Sequence, residues 1–165
     1  MPPIWRGDIL NSDNKTKEEI ENSNEWVTVS TGKVKGRLIG GNFNTITGIW
    51  GSIYMPEILE GDILLLEDGS KNASITERSF SLLKLNGVFD KVKGIILGKH
   101  NSYDDEGSKR KPYEILLEVL GDTNIPILSE FDCSHTSPLL TLPIGVEIEL
   151  DATNKNVSIL NNWIK

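Results

Sequence analysis

The sequence contains one cysteine, Cys133. A single thiol excludes an internal disulfide and a thiolate metal cluster. It is also a weak candidate nucleophile, because a lone, partly buried thiol is ordinarily inert. No apolar run approaches the roughly 20 residues of a membrane span. The opening MPPIWRGDIL lacks the apolar stretch of a secretion signal. A positive balance is missing too. The formal net charge of −7 argues against nucleic acid or an anionic membrane as a main partner. With one thiol and no targeting segment, a cytoplasmic location is the default. No G-x-S-x-G occurs, so no strand-to-helix nucleophile elbow is visible. There are two histidines, His100 and His135, without regular metal-site spacing.

What is present suits one domain with a real core. Residues 11–25 (NSDNKTKEEIENSNE) are almost wholly polar and read as an exposed connection rather than core. WVTVS at 26–30 alternates and is β-branched, so it predicts a strand. Glycines bracket the stretch 36–52, where a short helix is expected to start near Asn42. GDILLLED (61–68) and VKGIILG (92–98) are continuous apolar runs, as strands buried on both faces require. Between them Ser74 and Glu77 fit a capping box opening a helix, and Gly87 supplies its stop. Pro112 opens another helix through YEILLEVL, which Gly121 ends. IPIL (125–128) predicts a third strand, and 145–160 a hairpin turned by ATNKN. The middle is therefore strand, helix, strand, helix, strand, a pattern that builds parallel pairing.

Parallel strands put their carboxyl ends on one edge, where ligands of open α/β sheets gather. Three loops should meet there: one beginning at Glu67-Asp68, one at Gly98-Lys99-His100, and one holding DCSHTSP with His135. A carboxylate at a strand end beside a histidine on a small-residue loop is the orienter-and-base pair of a serine-type triad. Plainer roles compete. Glu67 could merely accept backbone hydrogen bonds, Asp68 could form the turn, and His135 could rigidify its loop. His100, in the polar run HNSYDDEGSKRK, reads as a solvated surface residue, and the charges at 104–111 as a solvated loop. Ser70, Ser134 and Ser137 lie near the edge, but none has a turn that would expose and activate it. The pair lacks its nucleophile.

The segments GRLIGGNFNTI, GDILLLED, ITERSFSLLKLNG, VKGIILGKH and CSHTSPLLTLPIG follow one another in the order and spacing of a known family. Over roughly residues 26–160 the chain resembles the C-terminal domain of the LD-carboxypeptidases, serine peptidases that include the microcin C self-immunity proteins. GKHNSYDDEGSKRKPYEILLEVL and the early tryptophan lean towards that immunity branch.

The resemblance implies an α/β class: a mixed β/β/α domain of the swivelling type, with a central parallel βαβαβ core and a C-terminal β-hairpin. It implies a Ser–His–Glu triad split between two domains, in which Glu67 matches the glutamate and His135 the histidine. Ser134 stands where the family commonly has glycine. Asn42 matches a motif near the site and is read as structural or substrate-adjacent. Trp5 would lie in the connection between domains, which in the immunity branch contributes aromatic contacts to ligand. The division expected is 1–25 as a remnant of the inter-domain linker and 26–165 as the C-terminal domain, Met1 opening a fragment. The partner implied is an N-terminal serine-bearing domain of the same protein. The substrate implied is a murein tetrapeptide, losing terminal D-alanine, or a peptidyl or aminoacyl nucleotide. No metal or organic cofactor is implied, and the family tends to form homodimers. Two rivals stand beside this reading: a non-catalytic binding domain of the same fold, and a small metallohydrolase using His135 and His100.

Overall fold

A computed structural model of the chain describes residues 25–136 and 138–161. Trp5, most of the polar stretch at 11–25, and Ser137 lie outside the described residues. Seven strands form one sheet: β1 (Val27–Ser30), β2 (Lys33–Asn42), β3 (Ile63–Glu67), β4 (Gly94–Gly98), β5 (Ile127–Phe131), β6 (Glu147–Asp151) and β7 (Asn156–Ile159). Their order is β1-β5-β4-β3-β2-β6-β7. β2, β3, β4 and β5 pair in parallel, and antiparallel strands flank them on both sides. The chain thus adopts the expected α/β class, with its parallel centre and C-terminal hairpin.

The apolar runs explain the centre. Leu64 and Leu66 of β3 pack on one face, and Ile63 and Leu65 on the other. Such a strand has no side to leave in water. The first face is covered by α1 (Phe43–Gly48), α2 (Ala73–Leu85), α3 (Val88–Lys91) and α4 (Pro112–Leu120). Phe43 and Phe80 meet there with ring centroids 4.9 Å apart. On the second face Ile148, Leu150 and Ala152 join Leu38, Ile96, Leu128 and Phe131. The sheet curls over that cluster, so that the Thr28 hydroxyl on β1 donates to the Ala152 carbonyl at 2.5 Å.

Several local expectations hold. Asn42 caps α1, accepting from Thr45 N at 3.0 Å. α4 begins at Pro112 and ends at Gly121, and Gly87 after α2 takes a left-handed φ of 68°. Others need correction. Ser74 and Glu77 do not form a capping box: α2 starts two residues earlier than Ser74 implied, with Asn72 accepting from Ile75 N at 3.0 Å. Glu106, from a distant loop, takes the Ser74 N–H at 2.8 Å, and Glu77 pairs with Arg110. Along this helix Phe80 and Leu83 are buried whereas Leu85 is exposed. The strand expected at IPIL lies later, at Ile127–Phe131.

β2 was not marked as a strand by the sequence pattern. Its glycines obscure alternation, yet Gly40 is required: a Cβ there would lie 1.9 Å from the Leu65 carbonyl oxygen of β3.

Phe80 joins α2 to the sheet, so Phe80→Ala should cost about 3–5 kcal/mol through lost burial and a residual cavity. The effect should lower the urea midpoint with little change in slope; a midpoint equal to that of the unsubstituted chain would contradict this placement.

Candidate active site

The parallel register brings strand ends level. Asn42 pairs with Glu67, Leu66 with Leu97, and Gly98 with Phe131. The loops after β2, β3, β4 and β5 therefore leave one edge together. Glu67 closes β3 and is almost wholly buried. It fits because β4 ends in glycine: a Cβ at Gly98 would lie 2.8 Å from Glu67 Cβ and 2.9 Å from Cys133 Sγ.

Asp68 and Gly69 follow Glu67. The Asp68 carboxylate accepts the Gly69 N–H at 2.9 Å. Gly69 leaves a bare surface on which the His135 ring rests, its Cγ 3.3 Å from where a Cβ would stand. His135 Nδ1 lies 3.0 Å from Glu67 Oε2. The distance is that of a hydrogen bond, but Oε2 accepts no aligned one, so a small ring rotation separates the pair from full contact. The carboxylate side chain is buried, while the imidazole is 56% exposed. One of its faces is thus open to an incoming group.

Buried polar contacts hold the histidine loop. Lys99 and Asp132 form a buried ion pair, and Trp26 Nε1 donates to the second Asp132 oxygen at 3.1 Å. Leu140 N donates to the Asp132 carbonyl at 2.7 Å, closing the loop across His135. Ser134 is buried and its hydroxyl makes a long contact, 3.4 Å, to the Asp68 carbonyl. It is a brace, not a nucleophile in waiting.

An open cavity of about 460 Å³ lies beside the pair, lined by Asn42, Asn44, Asp68, Gly69, Ser70, Lys71, Asn101 and His135. Asn42 is both helix cap and cavity wall. Lys71, Asn44 and Asn101 were not singled out by sequence reasoning. Their only signal was position, within a few residues of the ends of β2, β3 and β4. Ser70 holds a left-handed φ of 54°, and its N–H donates to the Asn101 carbonyl at 2.7 Å. Asp104 N donates to the Lys71 carbonyl at 3.0 Å. The post-β4 loop thus carries the post-β3 loop.

Residues 102–111 of that loop are mostly exposed, as their composition suggested, but His100 is not a solvated surface residue. His100 Nδ1 lies 3.0 Å from the Gly98 carbonyl, and its Nε2 is fully covered. Arg110 spans Glu77 and Glu118, and Glu106 caps α2. His100 and His135 line different cavities and do not converge on one metal. Among the described residues no group of three or more histidine, cysteine or acidic side chains is placed to hold a metal ion.

Residues 35–150 match the family model described as the LD-carboxypeptidase C-terminal domain. The chain belongs to this family. It is 53% identical over 166 residues to the microcin C7 self-immunity protein MccF of Escherichia coli, covering 99% of this chain and 48% of that protein. The solved structure of MccF in complex with aspartyl sulfamoyl adenosine matches at 51% identity and a TM-score of 0.92, covering 100% of this chain and 50% of that one. An MccF-like protein from Bacillus anthracis str. Ames matches at 27% identity and a TM-score of 0.76, covering 97% and 50%. The chain spans about half the length of the curated relatives it matches. Among the described residues no helix is long and apolar enough to cross a membrane.

Within this LD-carboxypeptidase domain Cys133 stands next to the pair without joining it. Burial pushes its thiol up to about 12, and the nearby Glu67 and Asp132 carboxylates act in the same direction. The thiol is therefore protonated at neutral and mildly alkaline pH. Iodoacetamide at pH 8 should alkylate the folded chain on the order of a hundredfold more slowly than the urea-unfolded chain. Equal rates would show that the thiol is open and ionised.

Proposed function

We propose that this chain is the half of a serine-type LD-carboxypeptidase that supplies the base and its orienter, His135 and Glu67. The observation that carries the reading is the 3.0 Å approach of His135 Nδ1 to a buried Glu67 oxygen, with the ring itself half-open beside a polar cavity. On this reading residues 26–165 form the C-terminal domain, and 1–25 are a remnant of the connection to a serine-bearing domain. The protein would work in the cytoplasm.

The chemistry follows from the two groups. Glu67 accepts Nδ1–H and so fixes the tautomer that leaves Nε2 as the proton acceptor. His135 Nε2 takes the proton from the serine hydroxyl as its oxygen attacks the amide carbonyl. The charge formed on the imidazole is offset by Glu67. The same proton then passes to the departing amine, and water releases the acyl group by the reverse sequence. Lys71, with Asn44 and Asn101, supplies a cation and amides on the cavity wall for a polar or anionic portion of the substrate. A relative that holds aspartyl sulfamoyl adenosine, and another MccF structure with glutamyl sulfamoyl guanosine, favour an aminoacyl or peptidyl nucleotide over a murein tetrapeptide.

Isolated, the 165-residue chain should turn over neither substrate, because the serine and its oxyanion site belong to another domain. Joined behind a serine-bearing domain from the family, it should hydrolyse an aminoacyl nucleotide amide. In that fusion His135→Ala and Glu67→Gln should each lower kcat about 10⁴-fold with the circular dichroism spectrum unchanged. Turnover by the chain alone, or an undiminished rate in the His135 variant, would reject the assignment.

A further inference from the structure

The loop that carries His135 begins at Asp132, a residue 1% exposed and engaged at both its backbone and its side chain. Its carbonyl accepts the Leu140 N–H at 2.7 Å, which closes the loop. Its carboxylate takes donors from two distant parts of the chain. Lys99, just past β4, forms the buried ion pair at Oδ1. Trp26, just before β1, donates its indole N–H to Oδ2 at 3.1 Å.

The sheet itself brings the indole there. β1 pairs antiparallel with β5, Val27 against Ser129, so Trp26 lies beside the end of β5. Its ring packs on Phe131 with centroids 4.3 Å apart. The loop departs from that same residue. The Phe131 carbonyl accepts the Lys99 N–H at 3.1 Å and the Cys133 N–H at 2.9 Å. Trp26, Lys99, Phe131 and Asp132 thus form one cluster at the foot of the histidine loop.

A carboxylate so deeply buried is stable only while its charge is shared and its lone pairs are filled. Removing the indole N–H takes a donor from Asp132 and loosens the foot of the loop. The consequence falls on His135, whose alignment has little margin. Its Nδ1 lies 3.0 Å from Glu67 Oε2, yet that oxygen accepts no aligned hydrogen bond. Displacing a catalytic group by about 1 Å costs on the order of a hundredfold in rate. The polar stretch 11–25 runs directly into Trp26. In the proposed function that stretch ends the connection to the serine-bearing domain, and the residue after it is a hydrogen-bond donor to the foot of the histidine loop.

Resting on that function, we propose that Asp132 and Trp26 are positioning residues for His135: Asp132 sets the loop, and Trp26 ties it to the inter-domain connection. Both act through His135 and make no contact with the reacting atoms.

The test uses two readouts. In the 165-residue chain, the ¹⁵N shifts of the neutral His135 ring report how far the Nδ1–H tautomer is favoured. Trp26→Phe keeps an aromatic ring on Phe131 and removes the donor. Asp132→Asn keeps the side-chain shape and removes the charge. Both should move the His135 shifts toward an even mixture of tautomers. In a fusion behind a serine-bearing domain from the family, Trp26→Phe should lower kcat about tenfold, the worth of one hydrogen bond. Asp132→Asn should lower it about a hundredfold, and KM should stay within about twofold in both. Ile115→Val, in the core on the helix-covered face of the sheet, is the control for general loss of stability. It should lower the urea midpoint and leave both readouts unchanged. Where Asp132→Asn does not fold, because Lys99 keeps a buried charge, Trp26→Phe carries the test alone. The proposal is overturned if Trp26→Phe leaves the His135 ring shifts unchanged, if KM rises while kcat holds, or if Ile115→Val moves both readouts as far as Trp26→Phe does. A fusion inactive without any substitution would count against the proposed function and not against the positioning, which the tautomer shift in the chain alone decides.

Discussion

Parallel pairing of β2, β3, β4 and β5 brings Asn42, Glu67, Gly98 and Phe131 to one level of the sheet, and the polar chemistry of the domain is arranged along that line. Such pairing is possible only because ILLL and IIL are apolar on both faces, so neither face of β3 or β4 has to meet water. At the end of the line the requirement reverses. A carboxylate must sit at the strand end, and the neighbouring strand must make room for it. Gly98 does so by having no side chain, which admits both Glu67 and the start of the histidine loop. Gly69 then gives the imidazole a flat support. Two absent side chains therefore set the distance between two chemical groups.

The sequence made the apolar strands, the opening of α4 at Pro112 and the facing of Glu67 and His135 legible, because each rests on local pattern or on the rule that parallel strand ends share an edge. The errors share a different origin. Ser74 looked like a cap because S-x-x-E is a local motif, but the N–H it leaves is taken by Glu106, thirty-two residues away in sequence. His100 looked solvated because its neighbours are polar, whereas those neighbours spend their charges on α2 and α4. β2 was hidden by glycines whose purpose appears only when β3 lies against them. In each case the deciding partner is remote along the chain, and window-based reading has no access to it. Lys71 escaped notice for a related reason: nothing in its own neighbourhood marks it, and only the fold puts it beside His135.

Under the proposed function, the asymmetry of the Glu67–His135 pair bears on why the catalytic machinery would be divided between domains. A buried carboxylate is costly unless something shares its charge, and here a ring that remains half in water approaches it. The pair is not sealed from its own side: the loop from Asp132 to Leu140 is pinned at its base by Lys99 and Trp26, yet it leaves the imidazole edge uncovered. A domain placed across this edge would exclude water from the pair and strengthen the electrostatic hold of Glu67 on the imidazole. On the function proposed above, docking and activation of the base are one event.

The loop after β4 connects the two cavities. It runs beside the loop after β3 as a short extension of the sheet, with parallel bridges at Gly69–Asn101 and Asn72–Asp104. In an extended chain neighbouring side chains point to opposite sides. Asn101, bridged to Gly69, lines the first cavity, while His100 before it and Ser102, at a left-handed φ of 51°, line the second. The backbone between them is committed as well, since the Asn101 and Asp104 carbonyls hold Ser70 and Ala73 on either side of Lys71. The polar composition of residues 102–111 accords with their exposure, since most of these side chains stay in water while Glu106 and Arg110 also bind the neighbouring helices.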